Sequence, residues 1–107
     1  MLWRKINIEG TTYLVSQNGQ VMTTNYKRTG KKHLLAPQKV SRGYLGVAVG
    51  GKMTYIHRLV AISFPEICGY PDNGKTQVNH INEDKTDNRA ENLQWVTQAD
   101  NIRYSLD

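Results

Sequence analysis

The sequence predicts an α+β fold, in which a small antiparallel N-terminal sheet is followed by a helix and then by a C-terminal ββα unit. Three observations indicate this. Residues with high β-propensity flank two glycine-containing dipeptides in the N-terminal half, a helical pattern of apolar residues begins at His57, and two short apolar segments near the C-terminus lie on either side of a polar stretch. The 107 residues suffice for one compact domain, or for two very small modules that share a core.

The N-terminal half contains two predicted hairpins. Residues 12–24 place β-branched and aromatic residues on both sides of Asn18-Gly19, a dipeptide that strongly favours a tight hairpin turn. Residues 43–49 and 52–56 flank Gly50-Gly51 in the same way. The N-terminal half is therefore predicted to be a small antiparallel sheet.

The segment between these hairpins is strongly basic. Residues 25–33 have no apolar period, which predicts a mobile loop. We expect this loop to lie against a nucleic-acid backbone through its four cations, which are Lys27, Arg28, Lys31 and Lys32.

A short helix is predicted after the second hairpin. Leu59, Val60, Ile62 and Phe64 recur with helical spacing, and Pro65 ends the pattern because proline cannot continue a helix. Residues 66–76 contain glycine, proline and asparagine and are predicted to form a loop.

The final third is predicted to be strand, turn, strand and helix. A short strand covers residues 77–81, a polar turn segment covers 82–91, and a second strand covers 93–96. The closing helix is expected over about 98–105, because Thr97 is a good N-cap residue.

Charge is divided unevenly along the chain. Residues 1–64 hold ten Lys or Arg against a single acid, whereas residues 65–107 hold four against eight acids. A basic half suits contacts with phosphates, and an acidic half rich in Asn and Asp suits a divalent cation. The overall charge of +5 points to a polyanionic partner.

Cysteine and apolar content exclude several classes of protein. Cys68 is the single cysteine, which excludes an intrachain disulfide and a zinc site made of four cysteines. No stretch reaches the roughly 18 apolar residues of a membrane span, and the N-terminus lacks the apolar run of a signal peptide. We therefore expect no membrane partner and a reducing, cytoplasmic location.

Several spaced segments resemble a known family, the phage intron-encoded homing endonucleases of the HNH type. The segments that resemble the HNH motif itself are Val78-Asn79-His80-Ile81, Lys85-Thr86-Asp87-Asn88-Arg89, Glu91 to Thr97, and Asn101. His57-Arg58-Leu59-Val60-Ala61 and Phe64 are similar to the helix before the motif, and residues 3–6, 13–16 and 18–21 are similar to the NUMOD4-like module that often precedes it. The resemblance implies a ββα-metal nuclease and an intracellular setting in a phage or bacterial host.

His80 is the candidate general base. An unperturbed imidazole has a pKa of about 6.5, so it is mostly neutral at pH 7 and can take a proton from water. The resemblance implies that His80 activates the attacking water, that Asn79 and Asn101 bind one Mg²⁺ or Mn²⁺ ion, and that Asn92 holds the loop and the imidazole. The ion would stabilise the charge that develops on the phosphodiester and its leaving oxygen.

Asn79 departs from the pattern of many relatives, which have aspartate there. A neutral amide attracts a divalent cation less strongly than a carboxylate does, and Asp84 or Asp87 are candidates to compensate. Adjacent strand residues also face opposite sides, so Asn79 and His80 share a site only at a twisted strand end or a bulge. Asn82 and Asn88 are interpreted as turn formers.

The hypothesis is a metal-dependent endonuclease that binds double-stranded DNA as a monomer. Residues 1–55 would position the DNA and residues 56–107 would form the nuclease unit. One alternative is a DNA-binding protein on the same scaffold with weakened or lost cleavage, and another is an RNA-binding module. The residues expected to contact DNA are Lys27, Arg28, Lys31, Lys32, Lys39, Arg42 and Arg58.

Overall fold

The structure, a computed structural model, describes residues 2–72 and 74–100. The described chain contains three antiparallel sheets, two short helices and two turns of 3₁₀ helix. The prediction of an α+β fold is confirmed.

The first sheet has four strands in sequential order, β1 (Trp3–Ile8), β2 (Thr11–Ser16), β3 (Val21–Tyr26) and β4 (Lys31–Leu34). The predicted hairpin around Asn18-Gly19 is confirmed, since it joins β2 to β3.

The prediction of a mobile basic loop over residues 25–33 is wrong. Only residues 27–30 form a turn, because Lys31–Leu34 pairs with β3. All four residues of β4 are exposed, so the strand has no buried face and therefore no apolar alternation in its sequence. The turn is held by Asn25, whose side-chain oxygen accepts a hydrogen bond from the Gly30 N–H at 2.7 Å.

The second sheet has three strands, β5 (Gln38–Lys39), β6 (Leu45–Val49) and β7 (Lys52–Tyr55). The predicted hairpin around Gly50-Gly51 is confirmed by the pairing of β6 with β7. The N-terminal half thus forms two sheets rather than the one that was predicted.

The predicted helix is α1 (Ile56–Ser63), which begins directly after β7. Pro65 ends α1 but also begins a second helical turn, α2 (Pro65–Cys68), where a loop was predicted. Proline is well suited to the first turn of a helix because that turn needs no N–H donor there.

The C-terminal part follows the predicted order. Strand β8 (Gln77–His80) pairs with β9 (Leu93–Val96), and a 3₁₀ turn at Ala90–Asn92 leads into β9. Residues 98–100 are helical, and Thr97 Oγ1 accepts a hydrogen bond from the Asp100 N–H at 3.1 Å, as expected for an N-cap. The rest of the predicted helix lies outside the described residues.

One apolar core joins the N-terminal and C-terminal elements. Val15, Val47, Val60 and Leu93 are almost completely buried in a single cluster, although they come from β2, β6, α1 and β9. Trp95 belongs to the same cluster, as expected of a core tryptophan. The division at residue 55 therefore stays a prediction. Among the described residues, no helix is long and apolar enough to cross a membrane.

Candidate active site

His80 is the last residue of β8 and is only 5% exposed. Its Nε2 lies 2.8 Å from Oδ1 of Asn88. A carboxamide oxygen only accepts, so Nε2 carries the proton of the neutral ring and Nδ1 carries the lone pair. Burial lowers the pKa of His80, with the Asn88 hydrogen bond opposing the change. The ring is thus a neutral base with its acceptor nitrogen at Nδ1.

Asn88 was interpreted as a turn former, and the structure gives it a different place. Its side chain is 5% exposed and turned toward His80 across the loop that joins β8 to β9. This contact fixes both the tautomer and the ring orientation of His80. The sequence feature that could have identified Asn88 as a site residue is its position in the segment Lys85 to Arg89, eight residues after His80.

Asn92 holds the loop between the two strands. Its Nδ2 donates to Asn82 Oδ1 and to the carbonyl oxygen of Asp87, each at 2.9 Å, and its Oδ1 accepts from the Asn82 N–H at 3.0 Å. The expected contact with the imidazole is made by Asn88 instead. Asn92 therefore acts on His80 only through the shape of the loop.

The two acids proposed to compensate at the metal are engaged within the loop. Arg89 donates from Nε and Nη2 to the carboxylate of Asp87 at 2.8 Å each, and Asn82 Nδ2 donates to the same carboxylate at 2.9 Å. The Arg89 guanidinium holds the pKa of Asp87 well below its usual range. Asp84 accepts from the N–H and the hydroxyl of Thr86 at 2.9 and 2.6 Å. Both carboxylates thus form hydrogen bonds that stabilise the loop between β8 and β9.

Asn79 lies one residue before His80 and is half-buried. Its burial alternates with that of His80, and the register of β8 with β9 shows no bulge that would bring the two side chains to one face. No hydrogen bond joins its side-chain amide to a described residue, so its oxygen is available as a ligand. Asn101, the other expected ligand, lies outside the described residues. Residues 2–72 and 74–100 contain no cluster of three His, Cys, Asp or Glu side chains suited to a metal ion.

His57 packs against the candidate base. Its ring centroid lies 5.1 Å from that of His80, 4.9 Å from Tyr44 and 5.2 Å from Tyr55. Burial is the main reason that the pKa of His57 is lowered to about 3, and the nearby His80 and Arg58 contribute to this shift. Its Nδ1 is enclosed and has no hydrogen-bond partner in the part of the chain that the structure describes. From the sequence, a histidine at the start of a helix is expected to cap or pack, with a phosphate contact as the alternative.

The cations expected to contact DNA occupy three places. Lys27, Arg28, Lys31 and Lys32 lie on the turn and last strand of the first sheet, and Lys39 lies on β5. Arg42 and Arg58 instead line a pocket beside His57. The guanidinium of Arg58 stacks over the ring of Trp95 at 5.3 Å and donates to the carbonyl oxygen of Thr76 at 3.2 Å.

Comparisons with known proteins agree on one family. Residues 54–103 match the family described as HNH endonuclease. Over 99% of its length the chain is 39% identical to an uncharacterized HNH endonuclease, L247, of Acanthamoeba polyphaga mimivirus, and covers 26% of that protein. Over 99% of its length it is also 35% identical to the DNA endonuclease I-HmuI of Bacillus phage SP01, and covers 58% of it.

A solved structure is also similar. Its subject is DNA binding and cleavage by the HNH homing endonuclease I-HmuI. It matches this chain with a TM-score of 0.77 at 34% identity. The match covers 99% of this chain and 58% of the solved chain. The chain therefore spans less than two thirds of the length of these relatives.

Proposed function

Because residues 54–103 of this chain belong to the HNH endonuclease family, we propose that the protein hydrolyses phosphodiester bonds of double-stranded DNA, with His80 as the general base and a divalent metal ion as cofactor. The observation that carries the proposal is the hydrogen bond from His80 Nε2 to Asn88 Oδ1 at 2.8 Å. It leaves the lone pair of a neutral imidazole on Nδ1, which is what a base that deprotonates water requires.

The surroundings of His80 support this role. A lowered pKa keeps the ring unprotonated at neutral pH, so it is ready to accept a proton. The Asn88 side chain stabilises the ring after protonation as well, because Nε2 donates to it in both states. Asn92 keeps the loop that carries Asn88 in place through three hydrogen bonds. These residues together hold one proton acceptor in a fixed orientation.

Asn79 and Asn101 would hold the ion through their amide oxygens, which requires the twist at the end of β8 to bring Asn79 to the side of His80. Hard oxygen ligands and a phosphodiester suit Mg²⁺ or Mn²⁺, and the side-chain amide of Asn79, which has no hydrogen-bond partner among the described residues, fits that use. When bound, such an ion supplies charge stabilisation to a phosphodiester in the transition state. Two neutral amides add no negative charge, so the affinity for the ion is expected to be low.

The N-terminal part, residues 1–55, would position the duplex. Lys27 and Arg28 in the β3–β4 turn and Lys31 and Lys32 on β4 gather four cations on one hairpin. The molecule measures 47 × 26 × 25 Å, so its long axis exceeds the roughly 34 Å of one turn of B-DNA. We propose that it acts on DNA as a monomer.

Asn79 also favours a second candidate, a DNA-binding protein on the same scaffold that cleaves weakly or not at all. Plasmid assays distinguish the two. The chain is incubated with supercoiled DNA in Mg²⁺, in Mn²⁺ and in chelator, and its affinity for a labelled duplex is measured in parallel. Nicked or linear product in either metal but not in chelator supports the nuclease, whereas binding without product in both metals supports the alternative.

A further inference from the structure

A pocket of about 560 Å³ opens beside His57, at the N-terminal end of α1. Two arginines, Arg42 and Arg58, line it, and none of its lining residues within 2–72 and 74–100 is acidic. Neither arginine forms an ion pair with a carboxylate among the described residues. The pocket therefore combines two positive charges that no carboxylate of the described residues neutralises, which suits an anion.

Neutral donors surround the same pocket. The hydroxyl groups of Ser41 and Tyr55 lie 3.0 Å apart and both residues line it. Tyr55 is also the N-cap of α1, makes no side-chain capping bond, and is followed by a first turn without acidic residues. The N–H groups of this turn are not capped by the Tyr55 side chain, and they carry partial positive charge.

His57 gives the independent observation. The residue is 6% exposed and lines the pocket, yet its Nδ1 is enclosed without a partner. An enclosed lone pair costs less than an enclosed unpaired N–H, so the neutral ring carries its proton on Nε2. Nε2 is not among the enclosed unpartnered atoms, and no described residue accepts a hydrogen bond from it. The ring therefore offers an N–H donor that lacks an acceptor.

We infer that this pocket binds a backbone phosphate of the DNA strand other than the phosphate attacked by the water that His80 activates, with Arg42 and Arg58 as charged ligands and His57 as a neutral donor. This inference rests on the proposed function. His80 does not line the pocket, and the His57 ring packs directly against that of His80, so the pocket lies next to the base rather than at it. Its purpose would be to fix the strand on one side of the reacting bond.

The arginines and His57 are expected to behave differently in a binding experiment. Affinity for a labelled duplex is measured in chelator across a range of NaCl concentrations, so the result does not depend on cleavage. Arg42→Gln should weaken binding roughly ten-fold and reduce the salt slope by about one phosphate. His57→Phe should weaken binding several-fold with an unchanged slope, because the ring it removes is uncharged.

Matched variants distinguish an effect of the pocket from the effect of losing any positive charge and from a loss of stability. Lys52→Gln removes one exposed charge on β7 outside the pocket and should leave affinity and slope as in the wild type. Arg58→Lys keeps the charge and should retain the slope. His57→Phe should be as stable as the wild type or more so, because it removes an enclosed acceptor without a partner.

Cleavage kinetics test which phosphate is bound. Arg42→Gln should raise KM and leave kcat nearly unchanged, as expected of a contact made equally in the ground and transition states. A lower kcat at unchanged KM would place the reacting phosphate in the pocket and overturn the inference. The inference is also overturned if Arg42→Gln binds DNA with the same affinity and salt slope as Lys52→Gln. Binding with the expected pattern but without cleavage would instead overturn the proposed function alone.

Discussion

At the level of single residues, the site depends on two histidines in contact that are both kept neutral. Their ring centroids are 5.1 Å apart, and burial lowers the pKa of each. Nε2 of His80 is hydrogen-bonded to the Asn88 side chain, whereas Nδ1 of His57 has no hydrogen-bond partner among the described residues. A buried polar atom without a partner usually costs stability, so phenylalanine in place of His57 is expected to be tolerated by the fold.

His57 should make the protein sensitive to acid. Its pKa is about 3 in the native state and about 6.5 when unfolded, so below pH 6.5 the unfolded chain binds a proton that the native chain does not. The stability of the wild type relative to His57→Phe should therefore fall by about 2 kcal/mol between pH 7 and pH 5. Urea unfolding of both proteins at the two pH values measures this difference. Equal losses in the two proteins would mean that native His57 binds protons normally.

Asn79 should limit the affinity for metal. Asn79→Asp keeps the size and the oxygen ligand but adds direct attraction to a divalent cation, so it should lower the metal concentration for half-maximal cleavage roughly ten-fold. Gln94→Glu is the matched control, because residue 94 pairs with residue 79 across the strands and adds the same charge without replacing the ligand. Metal titrations of plasmid cleavage compare the three proteins. If the two variants behave alike, residue 79 is not a ligand.

Among the elements, the β2–β3 hairpin supports the loop that carries Asn88. A Cβ atom on Gly19 would lie 2.8 Å from the Asn88 carbonyl oxygen and 2.9 Å from its Cβ. The same hairpin accepts a hydrogen bond from the Ala90 N–H to the Gln17 carbonyl oxygen at 2.8 Å. The first sheet thus contacts the residue that orients His80.

Gly19→Ala should consequently slow cleavage. Displacing Asn88 by a few tenths of an ångström or more should reduce kcat roughly ten- to hundred-fold, with DNA affinity retained. Gly10→Ala is the control, because Gly10 also has a positive φ, of 81° against 87° for Gly19, but has open space around its Cβ position. Imidazole ¹⁵N spectra should show a change at His80 only in Gly19→Ala. Equal kcat values for the two variants would show that the hairpin does not position Asn88.

The basic β3–β4 hairpin should contribute charge to binding rather than to chemistry. Replacing Lys27, Arg28, Lys31 and Lys32 together by Gln should reduce the salt slope of DNA binding by up to about four phosphates. Lys5→Gln with Lys52→Gln serves as a control on other exposed strand positions. An unchanged slope in the fourfold variant would place this hairpin in solvent.

For the whole molecule, the sequence was sufficient wherever structure is set locally. Turn chemistry at Asn18-Gly19 and Gly50-Gly51 predicted both hairpins, and the short apolar segment at Leu93–Val96 predicted β9 with its observed bounds. The strands β4 and β5 were missed because their residues are exposed and show no alternation.

The candidate site was only partly predictable for a related reason. His80 and Asn92 could be selected from the motif, but the hydrogen bond of Asn88 depends on how the loop between β8 and β9 folds. The contact of His57 with His80 depends on tertiary packing of α1 against β8. The spacing of residues along the sequence does not predict these contacts.

The most direct test replaces the proposed base. Single-turnover cleavage of supercoiled plasmid at saturating Mg²⁺ or Mn²⁺ is compared for the wild type and His80→Ala, with DNA affinity measured in chelator. The rate should fall by roughly 10²- to 10⁴-fold while affinity stays within a few-fold, because a general base acts on the transition state and not on binding. Cleavage by His80→Ala at the wild-type rate would contradict the role assigned to His80.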